Sequence, residues 1–168
     1  MDAIYYFFAA LMIAVGLAQS SILPHIRIAN YIPDLMLTLV VAWSVLRGAR
    51  QGLLWALMGG LTLDVLSGAP FGTFSASLAV ASLVSSLGAA QFFRSYALLP
   101  VIAIVTATVF YYGSLSFILL IAGRSMSPSD ILRGIVLPAL GLNALLMLIV
   151  FPVTRWLHRS TTSQEFDW

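Results

Sequence analysis

Two carboxylates set in apolar surroundings pose the chemical question for this chain. Asp34 follows Pro33 at the start of one apolar run, and Asp64 lies near the end of the next. A carboxylate in such surroundings is costly unless it caps a helix, meets a partner or faces a wet cavity. For Asp34, beside a proline at a helix start, a cap is the expected role. For Asp64 the expected role is structural or partner-binding, with the arginines Arg27, Arg124 and Arg133 as candidate partners. Proton-coupled transport is the weaker reading, because transport sites usually lie near the membrane midplane. Neither acid is spaced to sit there.

Other chemistry has no support in the residue pattern. The chain has no cysteine, which excludes disulfides, thiolate catalysis and Cys-based metal sites. Its two histidines and six acidic residues are spread out rather than clustered. No spacing sets a base beside a serine nucleophile, and no phosphate-binding loop, dinucleotide fingerprint or zinc-protease motif occurs. Neither an enzyme activity nor a cofactor or metal is expected.

Asp64 belongs to a longer pattern. Gly52, Ala56, Gly60, Asp64 and Gly68 recur every fourth residue, so they share one narrow helix face. With Gly59 beside it, this face has almost no side chain except one carboxylate. Small residues let helices approach closely in lipid, where packing replaces the hydrophobic drive. The face therefore packs within the molecule, against the preceding or following helix, or docks a foreign transmembrane helix.

These residues need elements to position them, and composition says which. The chain has 168 residues, 61% hydrophobic and 8% charged, where soluble domains carry about 25% charged residues. So much apolar surface calls for lipid as solvent. All eight basic residues are arginine, placed singly near the ends of apolar runs, so they form no nucleic-acid-binding patch. The fold expected is an all-α polytopic membrane protein with six transmembrane helices. Their approximate spans are 4–23, 33–46, 51–66, 73–93, 96–122 and 130–156. The first run lacks a preceding positive charge and continues past its small residues, so it reads as an uncleaved helix rather than a signal peptide. Residues 1–156 form one membrane domain and 157–168 a short tail.

The second and third helices are short for a bilayer core of about 30 Å. They form a hairpin that is either locally thinned or buried in protein. Asp34 precedes Arg47 by 13 residues and Asp64 follows Arg50 by 14. In an antiparallel hairpin both acids then lie about 20 Å from the basic turn, near the opposite interface. Arginine placement favours cytoplasmic termini. Arg47, Arg50, Arg94, Arg155 and Arg159 then lie inside, and Arg27, Arg124 and Arg133 outside. The breaker-rich stretch Ser67 to Gly72 is an outer turn. Pro138 predicts a kink in the last helix, and Asn143 requires a partner on a neighbouring one.

The hairpin as a whole resembles the rod shape-determining protein MreD family of bacteria. The residues that carry the resemblance are Pro33, Asp34, Arg47, Arg50, Gly52, Gly59, Gly60, Leu61, Asp64, Gly68 and Gly72. The family often has an aromatic residue just before the glycines, where this chain has Met58. The resemblance implies a non-enzymatic scaffold in the cell inner membrane, within the elongation complex for lateral peptidoglycan synthesis. It implies association with MreC, and through the wider complex with MreB, RodA and a class B penicillin-binding protein. It also implies a fold similar to the substrate-binding subunit of energy-coupling-factor transporters. That similarity supplies the alternative, a vitamin- or lipid-binding subunit with an outward pocket built from Gln19, Asn30, Asp64 and the outer arginines.

Overall fold

The computed structural model describes residues 2–21, 33–92, 98–124 and 132–162. Among these, six α-helices follow one another: α1 (Asp2–Ser21), α2 (Leu35–Arg47), α3 (Ala49–Ser67), α4 (Thr73–Phe92), α5 (Leu99–Ile121) and α6 (Leu137–Thr162). A π-helical turn, Leu132–Val136, leads into α6. Pro138 stands just beyond it. Proline has no N–H to return to the carbonyl four residues back, so a widened turn at this point is the expected accommodation. Here the departure from α geometry precedes the proline, at the helix start. The last helix continues beyond Trp156, its expected end, to Thr162. Ser129 and Asp130, candidate caps for that helix, lie outside the described residues.

The helix α2 is the axis of the bundle. It packs against every one of the other helices. Met36, Leu37, Thr38, Val40, Val41, Ala42 and Ser44 have no exposed surface. A helix that is apolar all round belongs inside protein, and its 13 residues no longer need to span lipid alone. Gly48, with φ of 82°, links it directly to α3. The helix α3 buries Gly52, Ala56, Gly60 and Asp64 on one face and exposes Leu54, Leu57, Leu61 and Val65 on the other. The short hairpin is thus largely enclosed: α2 by protein on most sides, with Leu35, Leu39 and Leu46 half-buried, and α3 on its small-residue side.

Among the described residues two segments are long and apolar enough to cross a membrane, Leu99–Ile121 and Leu132–His158. Shorter apolar helical stretches are Ala9–Ser21, Leu35–Arg47 and Thr73–Gly88. Several buried hydroxyls are satisfied within their own helices. Thr38, Ser44, Ser77, Ser85 and Thr108 each donate to the carbonyl four residues earlier, at 2.7–2.8 Å. This is how a hydroxyl is accommodated where water is absent.

Candidate functional site

The first turn of an α-helix leaves backbone N–H groups without intrahelical acceptors. Two helices of this bundle begin inside protein, where water cannot serve those groups, and the two acids lie at those beginnings.

At the start of α2, Asp34 is the N-cap residue. Its Oδ1 accepts from Leu37 N–H at 2.9 Å, as the Pro-Asp pair predicts. The rest of the arrangement is long-range. Gln19 of α1 donates from Nε2 to Asp34 Oδ1 at 3.0 Å, and its Oε1 accepts from Met36 N–H at 2.8 Å. Asn143 of α6 accepts from Asp34 N–H through Oδ1 at 2.9 Å. Its Nδ2 donates to Thr108 Oγ1 of α5 at 3.3 Å. The Tyr111 side chain of α5 lies within electrostatic range of the Asp34 carboxylate. Four helices therefore converge on one helix terminus. Asp34 is 6% exposed, and Asn143 and Thr108 are fully buried.

At the start of α4 the arrangement is local. Gly72 precedes the helix with φ of 93° and offers no side chain for capping. Asp64 supplies the missing oxygens from α3. Its Oδ1 accepts from Phe74 N–H at 2.8 Å, and its Oδ2 from Ser75 N–H at 3.2 Å and Ser75 Oγ at 2.6 Å. A carboxylate at the positive end of a helix is favourably placed. The intervening turn is shaped by Gly68, left-handed with φ of 65°. It is held by Thr73 Oγ1 donating to Pro70 O at 2.6 Å.

Among the described residues the partners of Asp64 are donors of α4, not Arg124 or Arg133. Arg124 and Arg133 are exposed, and Arg27 lies outside the described residues. The physical reason is proximity: the free N–H groups of α4 stand beside the carboxylate, and using them orders no long side chain. Tyr111 lies within electrostatic range of both Asp34 and Asp64, so the two acids share one end of the bundle.

The small-residue face packs within the molecule. A Cβ on Gly60 would overlap Ser75 Cα and stand 2.7 Å from Ser75 N. One on Gly52 would meet the Oγ of Ser44 and of Ser82, which bond each other at 2.8 Å. One on Gly59 would stand 2.6 Å from Met36 Sδ. Gly52 and Gly60 thus let α4 approach α3, Gly52 and Gly59 let α2 do so, and Ala56 is buried between them. A foreign helix has no access to this face.

The opposite end of α2 carries a second junction. Arg47 Nε donates to His158 Nδ1 at 2.7 Å, and its guanidinium lies 5.5 Å from the Trp43 ring centroid. Trp43 meets Trp55 edge-on at 5.8 Å. The two ends of α2 are thereby fastened to α6 by different chemistry.

Sequence reasoning gave Asp34 a cap, gave Asn143 a neighbour and placed Asp64 on a packed face. It did not join Gln19, Thr108 and Tyr111 to Asp34. The available signal was that Gln19 is a polar residue at the end of an apolar helix, level with the start of α2. Gln19 and Asp64, invoked for an outward small-molecule pocket, are instead engaged in holding helix starts. Asn30 lies outside the described residues.

An all-helical bundle with lipid-compatible spans, whose buried acids are engaged at helix termini, defines a structural membrane protein. The chain belongs to the family of the rod shape-determining protein MreD, whose model matches residues 1–161. Its role is accordingly in rod shape determination. No curated protein and no solved structure matches the chain.

Proposed function

We propose that this protein is a non-enzymatic scaffold of the elongation complex. In this reading six helices cross the bacterial inner membrane with both termini in the cytoplasm. The bundle has the architecture of the energy-coupling-factor substrate-binding subunits. It binds MreC directly, joins MreB, RodA and a class B penicillin-binding protein indirectly, and supports lateral peptidoglycan synthesis. The observation that carries the reading is the family match along residues 1–161.

The site residues follow their geometry. Pro33, Asp34, Gly52, Ala56, Gly59 and Gly60 serve assembly of the bundle. Asp64, Gly68 and Gly72 shape the outer turn. Because α2 is largely enclosed, the partner reaches the hairpin chiefly through α3 and that turn. There Leu61, Val65, Leu66 and Phe71 are exposed. Beside them a groove of about 360 Å³ runs between α3 and Ile13 and Leu17 of α1. The test is purification of the tagged protein in mild detergent from its own cells, with mass spectrometry of what remains bound. Stoichiometric MreC is the expected result. An energy-coupling ATPase or a tightly held vitamin in its place would overturn the reading.

A further inference from the structure

The exposed side of α6 near its C-terminal end has the layout of a lipid site. A hollow of about 250 Å³ is lined by Phe151, Pro152, Arg155 and Trp156. It lies at the end of the bundle where Arg47 and His158 meet. Arg155 is exposed and sits in the last turn of a segment apolar enough to cross a membrane. Asp34 and Asp64 both serve helix starts at the opposite end.

Apolar surface runs toward this charge along the helix. Ile149, Val153 and Trp156 are 68%, 58% and 69% exposed, and spacings of four and three residues put them on one stripe. An acyl chain laid along that stripe would bring its headgroup to Arg155, with the indole of Trp156 at the depth tryptophan favours in membranes. We propose that this hollow seats the phosphate headgroup of an anionic phospholipid, with an acyl chain on the Ile149–Val153 stripe. Arg155 binds the phosphate, and the aromatic and proline surfaces fix the glycerol region. Basic pockets at membrane interfaces recognise acidic headgroups by this chemistry.

The test is native mass spectrometry of the detergent-solubilised full chain, titrated with phosphatidylglycerol and, separately, phosphatidylcholine. Wild type should retain phosphatidylglycerol in preference to phosphatidylcholine. Arg155→Gln should reduce that preference about fivefold, the effect of one interfacial arginine. Arg50→Gln removes an exposed arginine outside the hollow and should leave the preference unchanged. Unchanged elution on size exclusion shows that each variant is folded. Equal retention of both lipids by wild type would overturn the proposal, as would equal loss from both variants. A third arm adds inorganic phosphate. Displacement of the lipid at millimolar phosphate would assign the site to a soluble phosphate and also overturn it.

Discussion

The starts of α2 and α4 face the same demand, free N–H groups away from water, and meet it on different scales. Asp34 caps its own helix and draws in Gln19 and Asn143, and through Asn143 also Thr108, from three others. Asp64 serves the next helix across a short turn, through Phe74 and Ser75 alone. The first arrangement ties together segments as far as 109 residues apart. The second fixes the shape of one turn. Equal chemistry thus yields unequal consequences: loss of Asp34 is a loss for the bundle, and loss of Asp64 a loss for the turn between α3 and α4.

Asp34→Ala breaks the comparison most severely. It leaves Leu37 N–H and Gln19 without their acceptor. Interhelical hydrogen bonds in membranes average about 0.6 kcal/mol, and each orphaned buried donor adds about 1–3 kcal/mol. A destabilisation of about 3 kcal/mol is expected, read as a large drop in folded yield and in thermal midpoint in detergent. Gly60→Ala comes next, at about 2 kcal/mol, because its Cβ meets Ser75 backbone that cannot rotate away. Gly59→Ala is its control, since Met36 is flexible and gives way. Equal loss from the two glycine variants would show that α3 and α4 are not packed as described. Asp34→Asn should cost least, under about 1 kcal/mol, because an amide oxygen still accepts from Leu37 and Gln19. A loss as large as that of Asp34→Ala would mean that the charge, rather than the acceptor geometry, holds the four helices.

How much of this was legible in the sequence follows from the same distinction. Local chemistry was readable: Pro33-Asp34 announced a cap, and the four-residue repeat announced a close-packed face. The six helices were marked by apolar runs and breakers. The burial of α2 was half readable, because a short helix that is apolar on every side needs protein around it. The partners of Asp34 were not readable, since nothing local in Gln19, Tyr111 or Asn143 states which helix end each will meet. Asp64 was readable only in part. Charge suggested arginine, whereas the nearest unmet donors were backbone groups beyond a turn. The string Gly72-Thr73-Phe74-Ser75 carried that signal, a helix start whose cap position has no side chain.

The most direct test of the account measures MreC retained per mole of folded protein for Asp34→Ala and Asp64→Ala, each purified in mild detergent and corrected for yield by size exclusion. Loss of a helix cap costs about 1 kcal/mol. Drawn from binding, this lowers MreC capture by Asp64→Ala about fivefold. The surviving folded fraction of Asp34→Ala should hold MreC at nearly the wild-type ratio. Equal capture by the two variants, after that correction, would contradict the division between an acid that holds the bundle and an acid that shapes the partner surface.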